Sequence, residues 1–173
     1  MDISLVDSLS VGVEDYLRMV RGKTATLFAT SCAVGAMLAT TQEDVVSLAR
    51  EFGLNMGMAF QIHDDFLGIW GDEAIVGKTT NDILEKKRTL PLILAMNKDP
   101  GWARYWLELE YIGKRRVRGW TAWMEREGIK DQVKKLEAHY IRKARKNLDS
   151  LAIQSEWQDQ FEEVLSFLSE RKI

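Results

Sequence analysis

The sequence predicts an all-α protein, a bundle of packed helices, and three observations carry that reading. Leu, Ala, Glu, Lys, Arg and Met dominate a chain that holds only 2 prolines, so few positions oppose helix. Apolar side chains recur at spacings of three and four over long stretches. The strict alternation that marks a half-buried strand is nearly absent. At 173 residues, 46% hydrophobic and 29% charged, the chain has globular composition, and residues 1–173 are expected to form a single all-α domain.

Taken in order, Ser10 followed by Gly12-Val13-Glu14 suggests a helix start, and Val13, Leu17, Val20, Thr24 and Leu27 keep helical spacing. Thr24 to Ala39 is rich in Ala, Ser and Gly, which let helices approach closely, so an interior helix is expected there. Thr41-Gln42-Glu43-Asp44 has the form of a capping box and should open a long helix through Phe52, Met56, Ile62 and Phe66 to about Trp70. Gly71-Asp72 ends it. Gly71 to Thr80 reads as a loop, and a helix is expected from Asn81 to Met96. Asn97-Lys98-Asp99-Pro100-Gly101 is the clearest break. Amphipathic helices follow at Trp102–Tyr111, Val117–Glu127, Lys130–Ser150 and Glu156–Glu170, with the four tryptophans Trp102, Trp106, Trp120 and Trp123 expected to pack in the core.

Several function classes fall away. The net charge of -2 gives no global attraction to nucleic acid or anionic membrane. No stretch approaches the roughly 18 apolar residues of a membrane helix, and Met1–Leu5 lacks a basic n-region, so no signal peptide is expected. Cys32 is the single cysteine, which points to a reduced, cytoplasmic setting. Gly71 to Thr79 mimics a P-loop, but five residues separate Gly71 from Gly77 where four are needed, and no strand precedes it. The basic run Lys114-Arg115-Arg116-Val117-Arg118 reads as a solvated face, and His139 as a surface histidine.

The chemistry-bearing stretch is Gln61-Ile62-His63-Asp64-Asp65-Phe66-Leu67-Gly68. Two adjacent carboxylates at the end of an apolar helix repel one another unless a cation is present. Gln61, Asp64 and Asp65 are spaced three and four apart, within one helical turn. That suits Mg²⁺, which takes one or two carboxylates, waters and substrate phosphates. Lys78, Lys86, Lys87 and Arg88 follow downstream, and Arg21-Gly22-Lys23-Thr24 lies upstream. Cations beside such a carboxylate pair are what a diphosphate needs.

In this order, Gly22-Lys23-Thr24, then Phe60-Gln61-x-x-Asp64-Asp65, then Gly71-Asp72, Gly77-Lys78 and Lys87-x-Thr89-x-Pro91, the sequence resembles the trans-isoprenyl (polyprenyl) diphosphate synthase family. The resemblance runs from Val13 to Met96 and is to the family's C-terminal half only. It implies a helical bundle of the isoprenoid synthase type, incomplete here, in which Asp64 and Asp65 of the second aspartate-rich motif ligate Mg²⁺. It also implies that Lys23, Lys78 and Lys87 bind diphosphate, and that the Thr24 hydroxyl, the Lys23 carbonyl and the Gln61 amide oxygen face the allylic cation. The implied reaction condenses isopentenyl diphosphate with an allylic diphosphate.

Two departures stand out. The family's second motif is Asp-Asp-x-x-Asp, and Gly68 occupies the third acidic position, with Asp72 as a candidate substitute. Gly68→Asp is therefore expected to restore the pattern. The first aspartate-rich motif is absent, since only Asp2, Asp7, Glu14 and Asp15 precede Lys23. The resemblance thus implies a heteromer, in which a partner subunit carrying the N-terminal half supplies that motif. A non-catalytic regulatory subunit and a related terpene cyclase are the alternatives.

Overall fold

The computed structural model describes residues 11–71 and 82–170, which form helices and turns with no strand among them. The all-α class is borne out. In order the elements are α1 (Val13–Val20), a π-helical turn over Arg21–Ala25, α2 (Thr26–Ala39), α3 (Glu43–Trp70), α4 (Leu90–Lys98), α5 (Pro100–Glu108), α6 (Lys114–Arg126), α7 (Ile129–Ser150) and α8 (Ser155–Glu170). No helix among the described residues is long and apolar enough to cross a membrane.

Of the described residues, 11–19, 64–71 and 82–134 form one compact unit, and 20–63 with 135–170 form another. In the first unit Tyr16, Phe66, Ile83, Leu90, Ile93, Trp106 and Met124 are fully buried. Trp102 stacks on Trp106 with ring centroids 5.3 Å apart, and Trp120 meets Trp102 edge-on at 5.5 Å. Such pairs add to the area that each ring buries. The Trp106 indole donates to the Ile83 carbonyl at 2.9 Å, so the deepest ring in the unit leaves no polar atom stranded.

The helix expected over 81–96 is corrected. Asn81 lies outside the described residues, 82–86 form turns, and α4 starts only at Leu90. Pro91 explains the shift: with no backbone N–H it belongs in the first turn of a helix, not the interior. Lys86 takes a left-handed φ of 52° within the turns. Its ammonium donates to the Leu107 and Leu109 carbonyls at 2.9 and 2.6 Å, satisfying acceptors at the end of α5. The expected break narrows to Asp99, whose side chain accepts from the Trp102 N–H at 2.9 Å and starts α5. The start of α6 at Lys114 takes in the basic run, of which Lys114, Arg115 and Arg118 are exposed.

In the second unit Phe52, Met56, Ala144, Leu148 and Leu165 form the buried core, with Phe28 and Phe60 packed against it. Small residues permit the close approach that the sequence suggested. A Cβ on Gly57 would fall 2.7 Å from the Ala25 Cα, and one on Gly53 2.8 Å from the Cys32 Sγ. The expectation of a fully interior α2 is nevertheless corrected, because only Ala29 and Ala33 of that helix are buried while Leu27, Val34, Met37 and Leu38 are exposed. Small side chains reveal close approach but not on how many sides. The hydroxyl at the start of α3 is also not Thr41's; Thr40 accepts from the Gln42 N–H at 3.1 Å.

Candidate metal and diphosphate site

Asp64 and Asp65 lie in the C-terminal part of α3, and the helix turns them to different tasks. Asp64 is exposed, whereas Asp65 is 4% exposed. The Asp65 Oδ2 accepts from the Tyr16 hydroxyl at 2.7 Å and from the Leu90 N–H at 2.9 Å. Leu90 is the first residue of α4, so Asp65 caps that helix across the first unit and complements its dipole.

One turn beyond Asp64, Gly68 receives the 82–86 turns. The Asp82 N–H donates to the Gly68 carbonyl at 3.1 Å, and the Lys87 N–H to the Asp82 carbonyl at 3.1 Å. A Cβ on Gly68 would fall 2.6 Å from the Asp82 Cγ and 3.1 Å from its Oδ1. Gly68→Asp, expected to restore the motif, would meet the Asp82 carboxylate, which already lies over position 68. Lys87 bridges to that carboxylate at 3.2 Å and also to Glu85. Burial pushes the Asp82 carboxyl above its usual range, Lys87 draws it back, and the neighbouring charges of Glu85 and Asp64 push it up again. The Lys87 ammonium is raised, first by its hydrogen bond to Glu85 and then by Asp82, against the opposing effect of burial.

In the second unit, Lys23 and Thr24 lie in the π-helical turn, a conformation found frequently at functional sites. Lys23 is exposed, and the Thr24 hydroxyl donates to the Gln61 side-chain oxygen at 2.9 Å. His63 Nδ1 pairs with Glu137 Oε1 at 2.8 Å, both side chains being buried. His139 is exposed, as expected.

The geometry thus groups Asp64, Asp65, Asp82 and Lys87 in the first unit and Lys23, Thr24 and Gln61 in the second. Lys78 and Asp72 lie outside the described residues. Among the described residues no group of three or more His, Cys, Asp or Glu side chains forms a preassembled metal cage. Mg²⁺ takes one or two carboxylates and completes its shell with water and phosphate, and Asp64 is the exposed carboxylate of the pair. Sequence reasoning passed over Asp82, Tyr16 and Glu137. Asp82 had a signal, a buried-type acid beside Ile83 in a stretch otherwise read for its cations; Tyr16 and Glu137 act over sequence distances that local patterns do not reach.

A polyprenyl synthetase family model matches residues 1–115. The chain is similar to the geranylgeranyl diphosphate synthase of Mycobacterium tuberculosis, with 43% identity over 97 residues, 56% of this chain and 28% of that protein. It is also similar to the geranylgeranyl pyrophosphate synthase of Geoglobus acetivorans, with 36% identity over 156 residues, 86% of this chain and 46% of that protein. Among solved structures it is similar to a polyprenyl synthase from Caulobacter crescentus complexed with calcium and isoprenyl diphosphate, with TM-score 0.86 and 30% identity, over 99% of this chain and 54% of that one. These matches span about half or less of the relatives' own lengths.

Proposed function

The chain belongs to the polyprenyl synthetase family, and from that premise we propose that it is the C-terminal half of a trans-prenyltransferase condensing isopentenyl diphosphate with an allylic diphosphate. It works in a heteromer whose partner subunit carries the N-terminal half and the first aspartate-rich motif. The observation that supports this most is Asp82, which pairs with Lys87 and feels the charge of exposed Asp64, so that a carboxylate for a divalent cation and an ammonium for phosphate lie around one residue. The Caulobacter crescentus relative binds a divalent cation together with an isoprenyl diphosphate, so the same ligands suit this chain.

Asp64, beside Asp65, would hold Mg²⁺, which when bound would supply positive charge to the leaving diphosphate. Lys23, Lys78 and Lys87 donate hydrogen bonds to its remaining oxygens, stabilising the charge that develops as the allylic C–O bond breaks. Thr24, the Lys23 carbonyl and the Gln61 oxygen face the resulting cation, which the double bond of isopentenyl diphosphate attacks before a proton is lost. For Lys87 to serve, it must exchange its carboxylate partners for phosphate.

The test is incorporation of labelled isopentenyl diphosphate by this chain alone and in the complex with an N-terminal-half subunit. We expect no turnover alone and turnover in the complex. Full activity of the isolated chain would overturn the heteromer, and an inactive complex that binds allylic diphosphate would point to a regulatory subunit.

A further inference from the structure

The basic run at the start of α6 has no part in the function proposed above, and the fold surrounds it with aromatic rings. Arg115, Arg116, Gly119 and Trp120 line a pocket of about 560 Å³ together with Tyr111 and Gly113. Pockets of that size hold small molecules. Spacings of three and four place Arg115, Arg116, Gly119 and Trp120 on one face of the helix. Among the described residues no carboxylate pairs with Arg115 or Arg116, and neither guanidinium donates a hydrogen bond. Arg116 lies over the Tyr105 ring at 5.6 Å, and that ring meets Trp120 at an angle of 88°. Trp102 meets Trp120 at 88° as well. Trp120 is thereby fixed in orientation while only half-buried, and Tyr111 stands 79% exposed. Arginine forks bind phosphate bidentately, and ring faces at a pocket wall stack on planar groups.

Gly119 points the same way. It lies exposed in the interior of α6, and a Cβ there would meet nothing within 4 Å. A glycine inside a helix weakens it relative to alanine, and no protein neighbour here requires one. Its missing side chain leaves open the pocket face between the two arginines and Trp120. We propose that this pocket binds a nucleoside phosphate, with Arg115 and Arg116 on the phosphate, Tyr111 and Trp120 against the base, and Gly119 leaving room for both. An acidic protein segment would satisfy the arginines but leave no use for the ring faces or for the glycine.

The experiment is isothermal titration of the full chain, without divalent cation, with AMP, GMP, CMP and UMP, and with inorganic phosphate and the matching nucleosides as their two halves. At least one nucleotide should bind with Kd below about 1 mM, and each of its halves at least about tenfold more weakly. Arg115→Gln removes one exposed charge, and Gly119→Leu fills the pocket face while adding a better helix former. Each should weaken the nucleotide about tenfold or more with no fall in the unfolding midpoint. Should Gly119→Leu fail to fold, Arg115→Gln decides alone. No binding of any of the four nucleotides would overturn the inference. So would phosphate binding as tightly as the nucleotide, or nucleotide affinity unchanged in a folded variant. Each of these results leaves the condensation proposed above standing.

Discussion

The Thr24 hydroxyl donates to the side-chain oxygen of Gln61 at 2.9 Å. The two groups expected to face the allylic cation therefore act on one another: the hydroxyl proton fixes the amide oxygen, and the hydroxyl's own lone pairs stay available. Thr24→Val keeps the shape and removes the donor. Loss of one partly buried hydrogen bond should cost about 0.5–1.5 kcal/mol of stability. In the active complex kcat should fall about tenfold or more with little change in KM for the diphosphate, because the missing interaction is with charge that exists only after ionisation. An unchanged kcat would remove Thr24 from the reacting centre.

Cys32 packs beside Gly53, and burial raises its thiol above the ordinary value. A raised folded-state pKa means that the protonated form is favoured, so any contribution to stability is present below the unfolded-state pKa and is lost as pH rises through the folded one. The folded chain should therefore react with iodoacetamide at pH 8 about tenfold more slowly than the chain in urea, where the thiol is free. Equal rates would show that Cys32 is not held against α3.

How much of this was legible in the sequence differs from element to element. The long helix α3, with its end at Trp70, and α7 and α8 followed from apolar spacing, which reports burial on one face directly. Pro91 was visible and should have moved the start of α4, because a proline ten residues into a helix contradicts the helix. The π-helical turn at Arg21–Ala25 was not legible, since one added residue hardly disturbs a period of 3.6. At the candidate site, Asp64, Lys87, Thr24 and Gln61 stood out by motif. The roles of Tyr16, Asp82 and Glu137 depend on contacts between distant segments, and a chain read locally carries no mark of them.

His63 and Glu137 form a pair with side chains 5% and 3% exposed, joined at 2.8 Å. His63→Ala removes one partner of the buried Glu137 carboxylate, and breaking a buried pair typically costs about 3–5 kcal/mol. Asn or Gln at 63 can still offer an N–H, so His63→Gln should lose less. The midpoints of urea unfolding for the two variants decide this. A loss below about 1 kcal/mol for His63→Ala would mean that the surroundings of Glu137 other than His63 satisfy its charge.

The adjacent acids Asp64 and Asp65 should separate cleanly under substitution. Asp64 is exposed, so Asp64→Ala should change stability by no more than about 0.5 kcal/mol. Its carboxylate faces the proposed cation, so turnover of the complex should fall about a hundredfold or more. Asp65→Ala removes the buried acceptor of the Tyr16 hydroxyl and of the Leu90 N–H, at about 1–3 kcal/mol for each hydrogen bond lost. It should therefore lower the unfolding midpoint sharply, before any effect on chemistry can be judged. Asp65→Asn resolves the matter, because one amide oxygen can still accept from both donors while the negative charge is gone. If Asp65 serves mainly as the cap of α4, Asp65→Asn folds normally and keeps most of its turnover. If it also ligates the cation, Asp65→Asn folds normally but loses turnover and needs more Mg²⁺ for half-maximal rate. With Oδ2 already bound to Tyr16 and Leu90, we expect the first result, and a Mg²⁺ titration of the Asn variant in the complex measures it.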